Sequence, residues 1–94
     1  MELVTTEQFA AALADGNVCI DVRTPGEYEQ QHIDGVQNIP LDTLADFTHV
    51  FASLDRVYVH CKTGGRAQQA ADWLEQHTKV KVYVYKGGIE EWFK

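Results

Sequence analysis

The 94 residues bound the protein to one domain, residues 1–94, with a modest hydrophobic core. Hydrophobic residues make up 45% and charged residues 23%, a globular balance that excludes a disordered chain. Asp and Glu total 14 against 8 Lys and Arg, for a net charge of −6, which argues against nucleic acid or an anionic membrane as the main partner.

The segment TTEQF opens a helix. Thr5 and Gln8 have capping-box spacing, Phe9, Ala12 and Leu13 form the apolar stripe, and Gly16 suits the C′ position. VCIDV (18–22) is short and almost wholly apolar, as expected of a strand buried on both faces, and Cys19 within it reads as a small buried hydrophobe. In TPGEYEQQH, Thr24 is the N-cap, Pro25 falls at N1 and Glu27 at N3, so a second capping box starts a short helix that ends before IDG. GVQNIP (35–40) reads as a tight turn and a short extended segment. Leu41, Leu44, Phe47, Val50, Phe51 and Leu54 recur at steps that predict one or two short helices over 41–54.

RVYVH (56–60) is a predicted strand, and residues 66–76 a helix with Ala67, Ala70, Ala71 and Leu74 on one face. KVKVYVY (79–85) alternates with period two and places Val80, Val82 and Val84 on one side. KGG turns the chain into a short terminal helix, IEEWF. Strands alternating with helices predict an α/β domain, a mainly parallel sheet with helices on both faces, whose ligand site lies at the C-terminal ends of strands.

Cys61 sits at such an end, in VYVHCKTGGRAQQAADWL. A thiol before a helix faces unpaired N–H groups and the positive end of the helix dipole, which favours its thiolate. Gly64 and Gly65 can adopt backbone angles closed to other residues, turning successive N–H groups inward as a nest for an anion. Arg66 adds a planar charge and Lys62 another. With only two cysteines and no metal-ligand spacing, neither a disulfide framework nor a metal site is indicated.

Three segments resemble the rhodanese domain, the single-domain sulfurtransferase family. CIDVRTPGEYEQQHIDGVQNIP (19–40) is similar to the family's signature DVR-x3-E-[FY]-x3-H-I-x-G-A-x-N-I-P, HCKTGGRA (60–67) to its active-site loop, and YKGGIEEW (85–92) to its GG-x3-W ending. The resemblance implies a rhodanese-like fold and a thiosulfate sulfurtransferase without metal or organic cofactor. Cys61 would be the nucleophile, taking the outer sulfur of a small anionic donor such as thiosulfate to form a persulfide. Lys62, Thr63, Gly64, Gly65 and Arg66 would line the bowl, and cyanide, a thiol or a protein acceptor would remove the sulfur. Two other readings stand beside it: a sulfur-carrier module that passes persulfide to a protein partner, and a small Cys-dependent phosphatase or arsenate reductase. The four residues between Cys61 and Arg66 favour sulfur, since the C-x5-R loops of the related phosphatases make a larger bowl. Val36 stands where the signature has Ala, and Lys62 where Arg is common.

Arg23 has two readings, a substrate-binding residue that orients the anionic donor or the partner of Asp21 or Glu27 in a structural ion pair. His32 and His60 are read as structural rather than as general bases, with His60 on the face opposite Cys61, and His49 and His77 as surface residues. No run approaches the ~18 apolar residues of a membrane span. MELVTTEQF has no signal-peptide pattern, so the expected compartment is the cytoplasm. The periplasm, where similar phage-shock protein E-type sulfurtransferases reside, is the alternative if a leader was removed. A monomer is expected.

Overall fold

A computed structural model describes residues 1–94. Five strands, β1 (Glu2–Val4), β2 (Cys19–Asp21), β3 (Gln37–Asn38), β4 (Arg56–His60) and β5 (Lys81–Tyr85), form one sheet in the order β1-β5-β4-β2-β3. All four pairings are parallel. The connections are α1 (Thr6–Ala14), α2 (Pro25–Gln30), a 3-10 helix (Leu41–Phe47) followed by α3 (Thr48–Ala52), and α4 (Gly65–His77), with α5 (Gly88–Trp92) closing the chain.

Local signals set most of these boundaries. Both capping boxes are present, Thr5 with Gln8 and Thr24 with Glu27. Gly16 follows the C-cap Asp15 at φ +84°, and the Gly16 and Asn17 N–H groups bond back to Leu13 and Ala12, which satisfies the last carbonyls of α1. The apolar stretch at 41–54 resolves into the 3-10 helix and α3, burying Leu44 and Phe51. β1 was not anticipated. It is only three residues long, none of them buried, and its register comes from pairing Glu2, Leu3 and Val4 with Tyr83, Val84 and Tyr85.

The sheet separates two apolar layers. On one face Ile20, Val22, Val57, Val59, Val82 and Val84 pack with Ala67, Ala70, Ala71 and Leu74 of α4 and with Leu44 and Phe51. The alanines let α4 lie close to the sheet, and truncating the fully buried Leu74 would cost roughly 2–5 kcal/mol. On the other face Phe9 of α1 packs with Cys19, Ile33, Val36, Tyr85 and Ile89. Strand alternation therefore puts Cys61 with the α4 layer, whereas the His60 ring lies edge-on to Phe9, centroids 5.6 Å apart, on the opposite side. β4 is the middle strand, so its C-terminal end opens into the centre of the sheet's upper rim.

Candidate active site

Cys61 follows the last residue of β4, and α4 begins four residues later at Gly65. The chain must reverse from strand to helix in that short span. Gly64 makes this possible at φ +103°, where a Cβ would stand 3.0 Å from the Lys86 carbonyl oxygen and 2.9 Å from Lys86 Cγ. Gly65 differs from expectation: it has no positive φ, and nothing lies within 4 Å of where its Cβ would be. Its glycine leaves open space rather than relieving strain.

The loop folds around the sulfur. Cys61 is buried, and its Sγ accepts hydrogen bonds from the Gly64 N–H at 3.0 Å and the Ala67 N–H at 3.4 Å. The N–H groups of Lys62, Thr63, Gly65 and Arg66 donate to no protein acceptor. They crown a 13-residue helix whose dipole is positive at this end. The arrangement can hold a sulfur atom or small anion that is bonded to Cys61.

The loop is braced from behind by α5. The Ile89 N–H donates to the Cys61 carbonyl at 3.0 Å and the Glu90 N–H to the Lys62 carbonyl at 3.4 Å. Gly88, at φ +61°, is what allows this approach, because a Cβ there would lie 2.4 Å from the Cys61 oxygen and 2.6 Å from the Lys62 oxygen. His60 adds a third hold, with Nδ1–H donating to the Cys61 carbonyl at 3.1 Å. A carbonyl only accepts, so this bond sets the tautomer and leaves Nε2 as a buried atom without a hydrogen-bond partner, 3.8 Å from Asp21 Oδ2. Burial pushes the His60 pKa below its ordinary value, against the opposing pull of Asp21.

Of the two partners the sequence offered Arg23, the structure gives it Asp21 and leaves Glu27 to Arg66. Arg23 is 4% exposed, and its guanidinium bonds both Asp21 carboxylate oxygens, the Gln31 carbonyl and the Glu27 carbonyl. Every nitrogen of the group thus has an acceptor inside the protein, which matches the structural reading of Arg23 rather than the donor-binding one. The Arg66 guanidinium turns instead to Glu27, with bonds of 2.6 and 3.1 Å, and holds that carboxylate down at about pKa 2. Lys62 and Thr63 are exposed on the loop, Lys62 with its ammonium 4.0 Å from Glu90.

Other candidates take the structural places expected of them. His32 bonds the Tyr28 carbonyl and stacks on its ring, while His49 and His77 are exposed. Burial pushes the Cys19 thiol up to about pKa 11, so it stays protonated and unreactive. No group of three or more His, Cys, Asp and Glu side chains is arranged to hold a metal ion. No helix is long and apolar enough to cross a membrane. Beside the loop, Val22, Thr24, Pro25, Pro40, Leu41, Asp42 and Arg66 line a cleft of about 410 Å³.

Sequence reasoning offered Glu27 to Arg23 rather than to Arg66, and assigned no role in the loop to Gly88 or Lys86. The GG pair and the capping box were visible signals, but each pointed to local geometry rather than to the distant loop it supports.

The family profile of the Rhodanese-like domain matches residues 5–94. The chain belongs to this family. Among curated relatives, the rhodanese-like chain is 35% identical over 92 residues to YqhL of Bacillus subtilis (strain 168), covering 98% of this chain and 72% of YqhL. It is 33% identical over 90 residues to the thiosulfate sulfurtransferase GlpE of Tolumonas auensis, covering 95% of this chain and 85% of GlpE. Among solved structures, reduced CoADR-RHD of Bacillus anthracis superposes with a TM-score of 0.88 at 32% identity, covering 98% of this chain and 16% of that one. The five-stranded parallel sheet with helices on both faces is thus the rhodanese-like fold.

Proposed function

We propose that this rhodanese-family sulfurtransferase carries sulfane sulfur from thiosulfate to a thiophilic acceptor on Cys61. The Cys61 thiolate attacks the outer sulfur of thiosulfate. A new S–S bond forms, the donor's S–S bond breaks, and sulfite leaves with the electron pair. The terminal sulfur of the persulfide carries the negative charge and faces the free N–H groups of residues 62, 63, 65 and 66. Cyanide, a thiol or a protein acceptor then attacks that sulfur, and the thiolate leaves. This is covalent catalysis in two half-reactions, with ping-pong kinetics expected.

One observation carries the reading: a buried sulfur with two N–H donors on it and four unengaged N–H groups in the same short loop. The two bound donors can follow the charge outward to the persulfide's terminal sulfur. Arg66 contributes by anchoring the loop through Glu27 rather than by offering a free charge.

The test is intact mass after incubation with thiosulfate. A gain of one sulfur atom on wild type, absent in Cys61→Ser and reversed by cyanide, is the expected result. Sulfur gained equally by Cys61→Ser would overturn the assignment. Hydrolysis of a phosphate ester without sulfur uptake would replace it with the phosphatase chemistry of the longer-loop relatives.

A further inference from the structure

Four cations lie on or beside the Cys61 loop or its supporting turn. Arg23 is locked onto Asp21, Arg66 onto Glu27, and Lys62 sits opposite Glu90. Lys86 alone has no carboxylate within ion-pair distance and is exposed. Yet its base is built against the loop. A Cβ placed on Gly64 would meet Lys86 at three atoms, Cγ, the carbonyl oxygen and Cα, at 2.9, 3.0 and 3.4 Å. Gly64 is the residue whose N–H reaches Cys61 Sγ at 3.0 Å. The stem of Lys86 therefore packs against the residue whose N–H holds the sulfur, and its exposed side chain has no carboxylate partner to fix the ammonium elsewhere.

The donor's charge needs such a group. Thiosulfate carries two negative charges, and only its outer sulfur enters the ring of N–H groups. The sulfonate end stays outside, on a protein of net charge −6. Loop N–H dipoles face the sulfur, while the Arg66 and Arg23 charges are already met by carboxylates.

We propose that Lys86 is a donor-recognition residue that meets the sulfonate end of thiosulfate, or of another small dianionic sulfane donor, while the outer sulfur faces Cys61. The proposal rests on the sulfur-transfer reading above and specifies its donor as a dianion. With the ammonium ~6 Å from the donor's charge in water-like surroundings, Lys86 is worth about tenfold in affinity for a dianion and about threefold for a monoanion.

The experiment is steady-state kinetics with cyanide as acceptor and two donors, thiosulfate (two charges) and benzenethiosulfonate (one charge). The variants are Lys86→Gln and Lys86→Met, both of which keep the stem carbons against Gly64, and Lys86→Arg, which keeps the charge. The Gln and Met variants are expected to raise KM about tenfold for thiosulfate and about threefold for benzenethiosulfonate, with kcat within twofold of wild type. Lys86→Arg is expected to restore KM. A thiosulfate KM unchanged in the neutral variants overturns the proposal. So does an equal rise for both donors, which would mean that the loop has moved rather than that a charge was lost. Wild type inactive with both donors would instead sink the sulfur-transfer reading, an outcome distinct from active wild type with indifferent variants.

Discussion

Glu27 and Arg66, 39 residues apart, form a two-bond carboxylate–guanidinium pair that ties the start of α2 to the first turn of α4. The same carboxylate closes the capping box on Thr24. One side chain thus fixes a helix start and the far end of the Cys61 loop. It is a bidentate, partly exposed pair, for which about 1 kcal/mol is a fair expectation at neutral pH.

The pair has a pH signature. The Glu27 pKa falls from its ordinary 4.5 to about 2, chiefly through the Arg66 hydrogen bond. The folded state therefore holds this proton more weakly than the unfolded state. The stabilisation is complete above about pH 4.5 and fades as pH falls toward 2. Urea midpoints for wild type and Glu27→Gln are expected to differ most at pH 6–7 and to converge near pH 2. A constant gap across that range would show that the charge is not what holds the pair.

Gly88→Ala is expected to destabilise by roughly 2–4 kcal/mol, because the new methyl meets two loop carbonyls at a φ of +61°. Gly16→Ala is the control. Its φ is +84°, but nothing lies within 4 Å of the new Cβ, so only the backbone penalty of about 1–2 kcal/mol applies. Equal losses for the two variants, measured by urea unfolding, would remove the steric argument.

Arg23→Ala tests the structural role assigned to that residue. It strands the fully buried Asp21 carboxylate, a change expected to cost about 3–5 kcal/mol. Sulfur loading per folded molecule, read by intact mass, is expected to stay near wild type. A normal stability with a lost loading step would return Arg23 to the donor site.

His60 adds a second pH dependence, at a higher pH than Glu27. Burial lowers its folded-state pKa, with Asp21 pulling the other way and Arg23 assisting the shift. Below about pH 6.5 the unfolded chain takes up a proton that the folded chain resists, so stability falls as pH drops, by at most ~1.4 kcal/mol per pH unit. His60→Asn removes the titrating ring and can keep an N–H toward the Cys61 carbonyl. The loss of stability between pH 7 and 5.5 is expected to shrink in this variant, and an undiminished loss would assign it to another group.

What could be read from the sequence was mostly local. The capping boxes at Thr5 and Thr24, the Gly16 cap and the alternation of Val80, Val82 and Val84 each involve residues within a few positions of one another, and each appears where expected. The Cys61 loop was legible because strand, glycine turn and helix follow directly. Partner choice among charges was not. Arg23 had Asp21 and Glu27 as candidates, and the sheet register then gave Glu27 to Arg66, across a sequence gap that no local pattern spans. β1 failed for the same reason, since three residues carry no periodicity and only the distant β5 defines them.

The bracing by α5 reaches further than support. A trans peptide group is a rigid plate, with its carbonyl oxygen on one edge and its N–H on the opposite edge. Ile89 and Glu90 bind the oxygen edges of the plates joining Cys61 to Lys62 and Lys62 to Thr63. Each plate then has one permitted orientation, and the N–H edges of Lys62 and Thr63 point away from α5. The chain's last helix, which contributes no side chain to the chemistry, thereby chooses the electrical polarity of the loop. Were those two plates to flip, the same residues in the same loop would present oxygens, and a bowl for anions would become one for cations.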